Sequence, residues 1–490
     1  MSVQEPPAAP PEEPALFQKA SRALGWSLAS TLLSRLSTLV IGIALARILG
    51  PEEFGTFAVA LVVLTAVLSF NELGVSLAIV RWPDDPEEIA PTVATLSVLS
   101  SVLVYVACWF GAPAFAAALG DESSIPVIRV LALSVIISGL VATPVGLLQR
   151  AFKQKQKTVA DLVTNWTSAL VSIGFALSGA GAMSLAVGQL SGSFAGAILF
   201  FAYAPRGLRF GFNREKARAL LRFGLPLAGS SIIVFATTNV DRIVVGAVLG
   251  PTALGYYMLA LNLANWPITI FSQPVRAVVP AALARLQHDR PAMRSAFLSA
   301  AGLLAVIALP ACLLLSGAAG PLIRFLYGDV WDPASTVLVW LGLLAALRIL
   351  FELFYDYFVV LASTRVVLVV QTVWFVALLP ALYLAAVHGG LWASAAVQFG
   401  VALVVVLPLY LIDLHRTGVS LGTLLSRVAP ALLGGLVVAG VAVAVTRTGW
   451  PDLVILLVSG TVTLGVMALL GYRLRHVLRE LRSAGVPAGG

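Results

Sequence analysis

The chain has 490 residues, 59% of them hydrophobic and only 11% charged, with a mean hydropathy of +0.96 and a formal net charge of +8. A water-soluble domain carries ~45–50% apolar and ~25% charged residues, so a soluble enzyme is excluded and an integral membrane protein is implied. There is no HExxH pattern or His/Cys cluster, and none of the five lysines follows a glycine. Zinc-hydrolase chemistry and a phosphate-cradling Walker loop are therefore excluded, and neither a metal nor a cofactor is expected.

Met1–Pro14 has no basic residue ahead of an apolar core, so residues 1–21 read as a disordered cytoplasmic tail rather than a secretory signal. Apolar runs long enough for a hydrocarbon core of ~30 Å then follow in close succession. They fall near 23–49, 54–80, 90–118, 126–149, 158–179, 182–204, 222–249, 253–280, 293–317, 335–362, 365–387, 390–412, 423–446 and 452–473. The expected fold is all-α, with fourteen transmembrane helices and no break long enough for a catalytic domain.

Basic residues set the orientation. The breaks holding Arg150 to Lys157, Arg206 to Arg222, Arg285 to Arg294 and Arg473 to Arg482 fall on one side. With Lys19, Arg22, Arg81, Arg365, Arg416 and Arg427, that side has 23 of the 31 Lys and Arg residues, against four (Arg47, Arg129, Arg324, Arg447) on the other. Both termini are thus expected in the cytoplasm. The net positive charge is a topology signal and an attraction to anionic membrane lipids, with no nucleic-acid partner implied.

Ile43–Leu61 repeats as Ile243–Leu261 at a constant spacing of 200, with Leu49/Leu249, Gly50/Gly250, Pro51/Pro251, Gly55/Gly255, Ala60/Ala260 and Leu61/Leu261 identical. In each copy a glycine ends one helix and a proline opens the next. Six spans separate the copies, an even number, so the halves enter the membrane in the same sense. The expected domains are an N-lobe at 22–206, a linker at 207–221, a parallel C-lobe at 222–412, and two further spans with a basic tail at 413–490. Two such lobes around a cleft suit alternating access.

The stretches Asn239–Ala260 (NVDRIVVGAVLGPTALGYYMLA), Leu45–Ala60 and Phe70–Val80 resemble the polysaccharide transporter family. These are the O-antigen and exopolysaccharide flippases of the multidrug/oligosaccharidyl-lipid/polysaccharide superfamily, whose fold is MATE-like. The resemblance implies a bacterial plasma-membrane protein, not an enzyme, that moves undecaprenyl-diphosphate-linked oligosaccharide from the inner to the outer leaflet. A polysaccharide polymerase or export machinery would then be its partner, and H+ or Na+ a candidate coupling ion. Lipid II flippases and multidrug exporters of the same superfamily are the alternatives. The cation exporters use a carboxylate in span 1, where this chain has Arg35. A membrane polymerase or ligase is disfavoured because the longest outer break, Ser316–Ser335, has no histidine and only Arg324.

Charges within spans are costly, so they face a cavity or a partner. Arg35, Arg242, Arg276 and Arg348 are the candidates for a diphosphate, which guanidinium groups bind bidentately. Glu72, Glu352 and Asp356 are the candidate ion-coupling carboxylates, and Asn71, Asn239 and Gln273 the candidate sugar contacts. A second reading stays open. Arg348, Glu352 and Asp356 are spaced i, i+4, i+8 and could pair along one helix, as could Arg35 with Glu72 across two. Asp241 and Arg242, being adjacent, point to different faces of their helix.

The stripe Ser184, Gly188, Gly192 and Gly196 is expected to pack against Ser168, Ser172, Ala176 and Ala180. Pro267, Pro274, Pro310, Pro380 and Pro408 mark bends in the second half.

Overall fold

The computed structural model describes residues 13–71, 79, 88–151, 153–204 and 209–473, with side chains described from residue 40 onward apart from a few inside helices. Every regular element among them is helical. In chain order these are α1 (Glu13–Asn71), α2 (Ala90–Ala118), α3 (Ser124–Arg150), α4 (Gln154–Leu177), α5 (Met183–Tyr203), α6 (Arg214–Leu249) and α7 (Pro251–Pro267). A π-helical turn, Ile268–Ser272, leads into α8 (Gln273–Arg285). Then come α9 (Arg290–Gly317), α10 (Ala319–Tyr327), α11 (Pro333–Val360), α12 (Thr364–Val401), α13 (Leu407–Arg416), α14 (Leu421–Thr446) and α15 (Asp452–Arg473). Eleven described segments are long and apolar enough to cross a membrane. Side chains such as Phe110, Leu177, Val404 and Leu464 stand exposed on them, as hydrocarbon-facing residues must.

Two glycines break what is otherwise continuous helix. Gly50 interrupts α1 at φ 72°, ψ 176°, and Gly250 separates α6 from α7 at φ 83°, ψ 178°. The same left-handed backbone at both copies of the repeat is what only glycine adopts without a Cβ clash. Gly390 (φ 70°) breaks α12 likewise, inside an apolar stretch of 53 residues, Thr364–Arg416. At 1.5 Å per residue such a stretch is ~80 Å long, more than twice the hydrocarbon thickness. Two of the expected proline bends coincide with π-helical turns. Ile268–Ser272 precedes Pro274, and Ala402–Val406 precedes Pro408. A proline offers no N–H to the carbonyl four residues back, and the widened turn absorbs the mismatch. Pro310 and Pro380 sit inside helices that continue through them.

The expected small-residue stripe packs as read at Gly188 and Gly192, whereas Gly196 meets Thr164 and Ala180 lies in the turn beyond the end of α4. A Cβ on Gly188 would land on the Ser172 hydroxyl, and one on Gly192 would come within 2.8 Å of Ser168 Cβ. The helices α4 and α5 are therefore in backbone contact. On the loops between spans, Asn213, Asp289 and Ser420 cap α6, α9 and α14 by accepting hydrogen bonds from free backbone N–H groups.

The face carrying the Gly50 and Gly250 turns is sealed at its centre. A Cβ on Gly255 would lie 2.6 Å from Pro51 O and 3.1 Å from Gly55 Cα, and one on Gly55 would strike the Pro251 carbonyl. The two copies of the repeat thus touch through glycine on glycine. Beside them, the stretch expected as a bare loop holds α10 and a 3-10 turn, Asp329–Trp331. Hydropathy missed α10 because it is amphipathic and only nine residues long. Its turn buries Trp331 edge-on between Phe54 of the first copy and Tyr256 of the second, with ring centroids 5.6 and 5.8 Å away. Trp331 Nε1 donates to Ala46 O at 3.2 Å, and Arg47 Nε donates to Leu326 O at 2.6 Å. Arg324 fastens α10 to α15 through two hydrogen bonds to Asp452, 3.2 and 2.9 Å, and one to Asp332 at 3.1 Å. Those bonds raise its pKa above the ordinary arginine value.

The expected boundaries of spans 3 to 6 agree with α2 to α5 to within four residues. At the start, α1 begins at Glu13, inside the stretch expected as tail, because Ala15, Leu16 and Phe17 extend its apolar pattern.

Candidate functional site

A cavity of about 410 Å³ opens among α6, α8, α11, α12 and α13. Asp241, Arg276, Arg348 and Glu352 supply its charge, and Gln371, Gln398, Trp374 and Tyr410 much of the rest of its wall. The π-helical turn and the α8 helix that follows it each aim one group at α11. Ser272 Oγ donates to Glu352 Oε2 at 2.6 Å. One turn on, Arg276 donates bidentately to Asp356, with Nε to Oδ2 at 2.8 Å and Nη2 to Oδ1 at 3.0 Å, and its Nη1 lies 3.7 Å from Glu352.

These contacts leave Arg348 alone. It lines the cavity, half-buried, with no hydrogen bond or ion pair among the described residues. The i, i+4 pairing of Arg348 with Glu352, one of the two readings open from the sequence, does not form. The planar fork of Arg276 reaches both acids from a neighbouring helix, with a bidentate pair of hydrogen bonds on Asp356.

A second polar chain lies toward the glycine-turn face. Tyr257, fully buried, donates to Asp241 Oδ2 at 2.6 Å and accepts from Gln398 Nε2 at 2.9 Å; Gln398 also donates to Ser394 O at 3.0 Å. Asp241 faces the cavity and Arg242 does not line it, as their adjacency implies. Arg242 donates to Asn239 Oδ1 at 2.7 Å, and its Nε is buried with no partner among the described residues.

Of the sequence candidates, Arg276, Arg348 and Glu352 come together in the cavity, and Asp356 is joined to them through Arg276. The Asn239 amide is spent within its own helix, on Phe235 O, Thr238 and Arg242. Gln273 is exposed and lies outside the cavity wall. The side chains of Arg35 and Asn71, and Glu72 as a whole, lie outside the described residues. Sequence reasoning missed the Asp241–Tyr257–Gln398 chain. The one signal was Tyr257 standing at the repeat position of Phe57, which adds a hydroxyl.

Apolar helices broken at matched glycines around a charged cavity define a polytopic membrane protein of the flippase and multidrug-transporter fold. A structure of lipid II flippase MurJ in an inward closed conformation matches with a TM-score of 0.75 over 92% of this chain and 99% of that one, at 16% identity. An inward-facing multidrug resistance MATE family transporter of the MOP superfamily matches at 0.59 over 79% and 98%, at 17% identity. Residues 44–336 match the family described as polysaccharide biosynthesis protein, and the chain belongs to that family. Among curated relatives, the succinoglycan biosynthesis transport protein ExoT of Rhizobium meliloti (strain 1021) is 28% identical over 66% of this chain and 65% of its own length. The lipopolysaccharide biosynthesis protein WzxC of Escherichia coli (strain K12) is 26% identical over 68% of each. The match thus spans about two thirds of the length of these relatives.

Proposed function

We propose that this protein flips an undecaprenyl-diphosphate-linked oligosaccharide from the inner to the outer leaflet of the bacterial plasma membrane by alternating access. Family membership and transport relatives in surface-polysaccharide synthesis support the class. The observation that carries the chemistry is Arg348, an unpaired guanidinium in a cavity whose acids are already engaged by Arg276, Ser272 and Tyr257. An arginine with no carboxylate on it leaves its planar fork available to bind a diphosphate bidentately. Counting each glycine-broken helix as two spans, and α7 with α8 as one, the chain crosses fourteen times in two parallel six-helix lobes, with two spans after them. Both termini then lie in the cytoplasm, and the sealed face is the outer one.

Coupling to H+ or Na+ belongs to the same cavity. Glu352 is the coupling carboxylate in this reading, since its charge holds Ser272 and faces Arg276 across two helices. Neutralising it loosens α8 from α11. Lipid II shares the diphosphate chemistry, and the fold likeness to MurJ keeps it as the second reading.

In proteoliposomes, Arg348→Ala should abolish flipping of a lipid-linked oligosaccharide, and Arg348→Lys should restore part of it, because charge returns without the bidentate fork. Wild-type flipping by Arg348→Ala overturns the assignment.

A further inference from the structure

A second cavity, of about 190 Å³, lies among α1, α4 and α5. It is the repeat counterpart of the charged one. From α4, Leu162, Asn165, Trp166 and Ala169 line it, and 209 residues further on Gln371, Trp374, Phe375 and Leu378 line the charged cavity from α12. Gln189 and Gln398 line the two at the same spacing of 209, and Gly181 (φ 55°) and Gly390 (φ 70°), again 209 apart, precede the helices that carry them. Ile41 stands 200 residues before Asp241, and Phe57 200 before Tyr257.

Duplication kept the place and exchanged the chemistry. The charged cavity has Asp241 where the N-terminal one has Ile41, and among the described residues that line the latter no side chain is charged. Gln398 donates its amide to the Tyr257 hydroxyl. Phe57 has no hydroxyl to offer, so the Gln189 amide is left without a hydrogen-bond partner among the described residues, as are the Asn165 amide and the Trp166 indole N–H. Ser168 and Ser172 also line it, from the side of α4 that packs on α5.

We infer that this N-terminal cavity is a subsite for one neutral sugar ring of the transported glycan. The inference rests on the reading of the protein as a flippase of lipid-linked oligosaccharide. A pyranose has an apolar C–H face, which suits the Trp166 and Phe57 rings, and a rim of hydroxyls that donate and accept. Asn and Gln amides do both, whereas a charged wall would be desolvated without compensation. At about 190 Å³ the cavity has room for a single ring. In this arrangement the diphosphate sits on Arg348 in one lobe and a sugar in the matching place of the other, so one substrate bridges both lobes.

The test is binding to purified protein in nanodiscs of two probes, undecaprenyl diphosphate without sugar and the same lipid bearing the organism's own oligosaccharide. Trp166→Ala and Gln189→Ala should weaken the glycosylated probe about tenfold or more and leave the sugar-free probe unchanged, while Arg348→Ala weakens both. Trp166→Phe, which keeps a ring in place, guards against misfolding and should recover most of the affinity lost in Trp166→Ala. Equal affinity of wild type and both pocket variants for the glycosylated probe overturns the subsite but leaves the flippase reading standing. Wild type that binds neither probe overturns both.

Discussion

Gly255→Ala should open the face that carries the glycine turns, the outer one in the proposed orientation. The added Cβ would lie 2.6 Å from Pro51 O, 0.8 Å short of the 3.4 Å at which ordinary contact begins, and 3.1 Å from the Gly55 backbone. All three neighbouring atoms are main chain, so no side chain can swing aside and the two repeat turns themselves must part. Overpacking of this kind costs about 1–3 kcal/mol, and it falls on the closed state alone, because the turns separate when the face opens. The gain in helix propensity from Gly to Ala is common to both states and cancels. A differential of that size shifts the closed–open equilibrium roughly 5–150-fold. The reporter is a cysteine at Gln371, inside the charged cavity, labelled in whole cells by a membrane-impermeant maleimide. Cys108 and Cys312 are both buried and give little background. The labelling rate should rise by a factor in that range in Gly255→Ala. An unchanged rate in folded, membrane-inserted protein refutes the claim that the glycine contact holds the face shut.

Trp331→Ala removes the ring that joins Phe54 to Tyr256 and the hydrogen bond to Ala46 O, and should raise the same labelling rate, whereas Trp331→Phe should do so less because an edge-on ring remains. Glu352→Gln should abolish the dependence of flipping on an imposed pH gradient while substrate still binds; gradient-driven flipping at the wild-type rate would place coupling elsewhere. Cysteines at Pro51, Gly181, Pro251 and Gly389 should label from outside, and those at Lys155, Gly211 and Arg290 should not, and labelling of both sets from one side overturns the fourteen-span topology.

Much of the fold was legible because the membrane makes backbone burial a question of length and hydropathy: α2 and α15 begin and end where the apolar runs do. The Gly50 and Gly250 turns were legible for an equally local reason, since a left-handed residue ahead of a proline-opened helix demands glycine whatever surrounds it. That Asp241 and Arg242 part company followed from helical geometry alone.

Only the tertiary structure decided which charges meet. Along α11 the spacing allows Arg348 to pair with Glu352, and nothing local forbids it. What prevents it is Arg276, 80 residues from Asp356 in sequence, brought within 2.8 Å of that acid by a π-helical turn. Hydropathy likewise passed over α10 and the burial of Trp331, because a nine-residue amphipathic helix has no membrane-length signal and its partners come from both copies of the repeat. The equivalence of the two cavities is distributed over single residues at spacings of 200 and 209, too sparse to stand out in the sequence, and becomes visible only when packing brings helices from each half of the chain around a space of its own. Helix length, turns and facing are local properties of a chain in lipid, while the choice among competing ion-pair partners is settled by distances of a few tenths of an ångström that only packing sets.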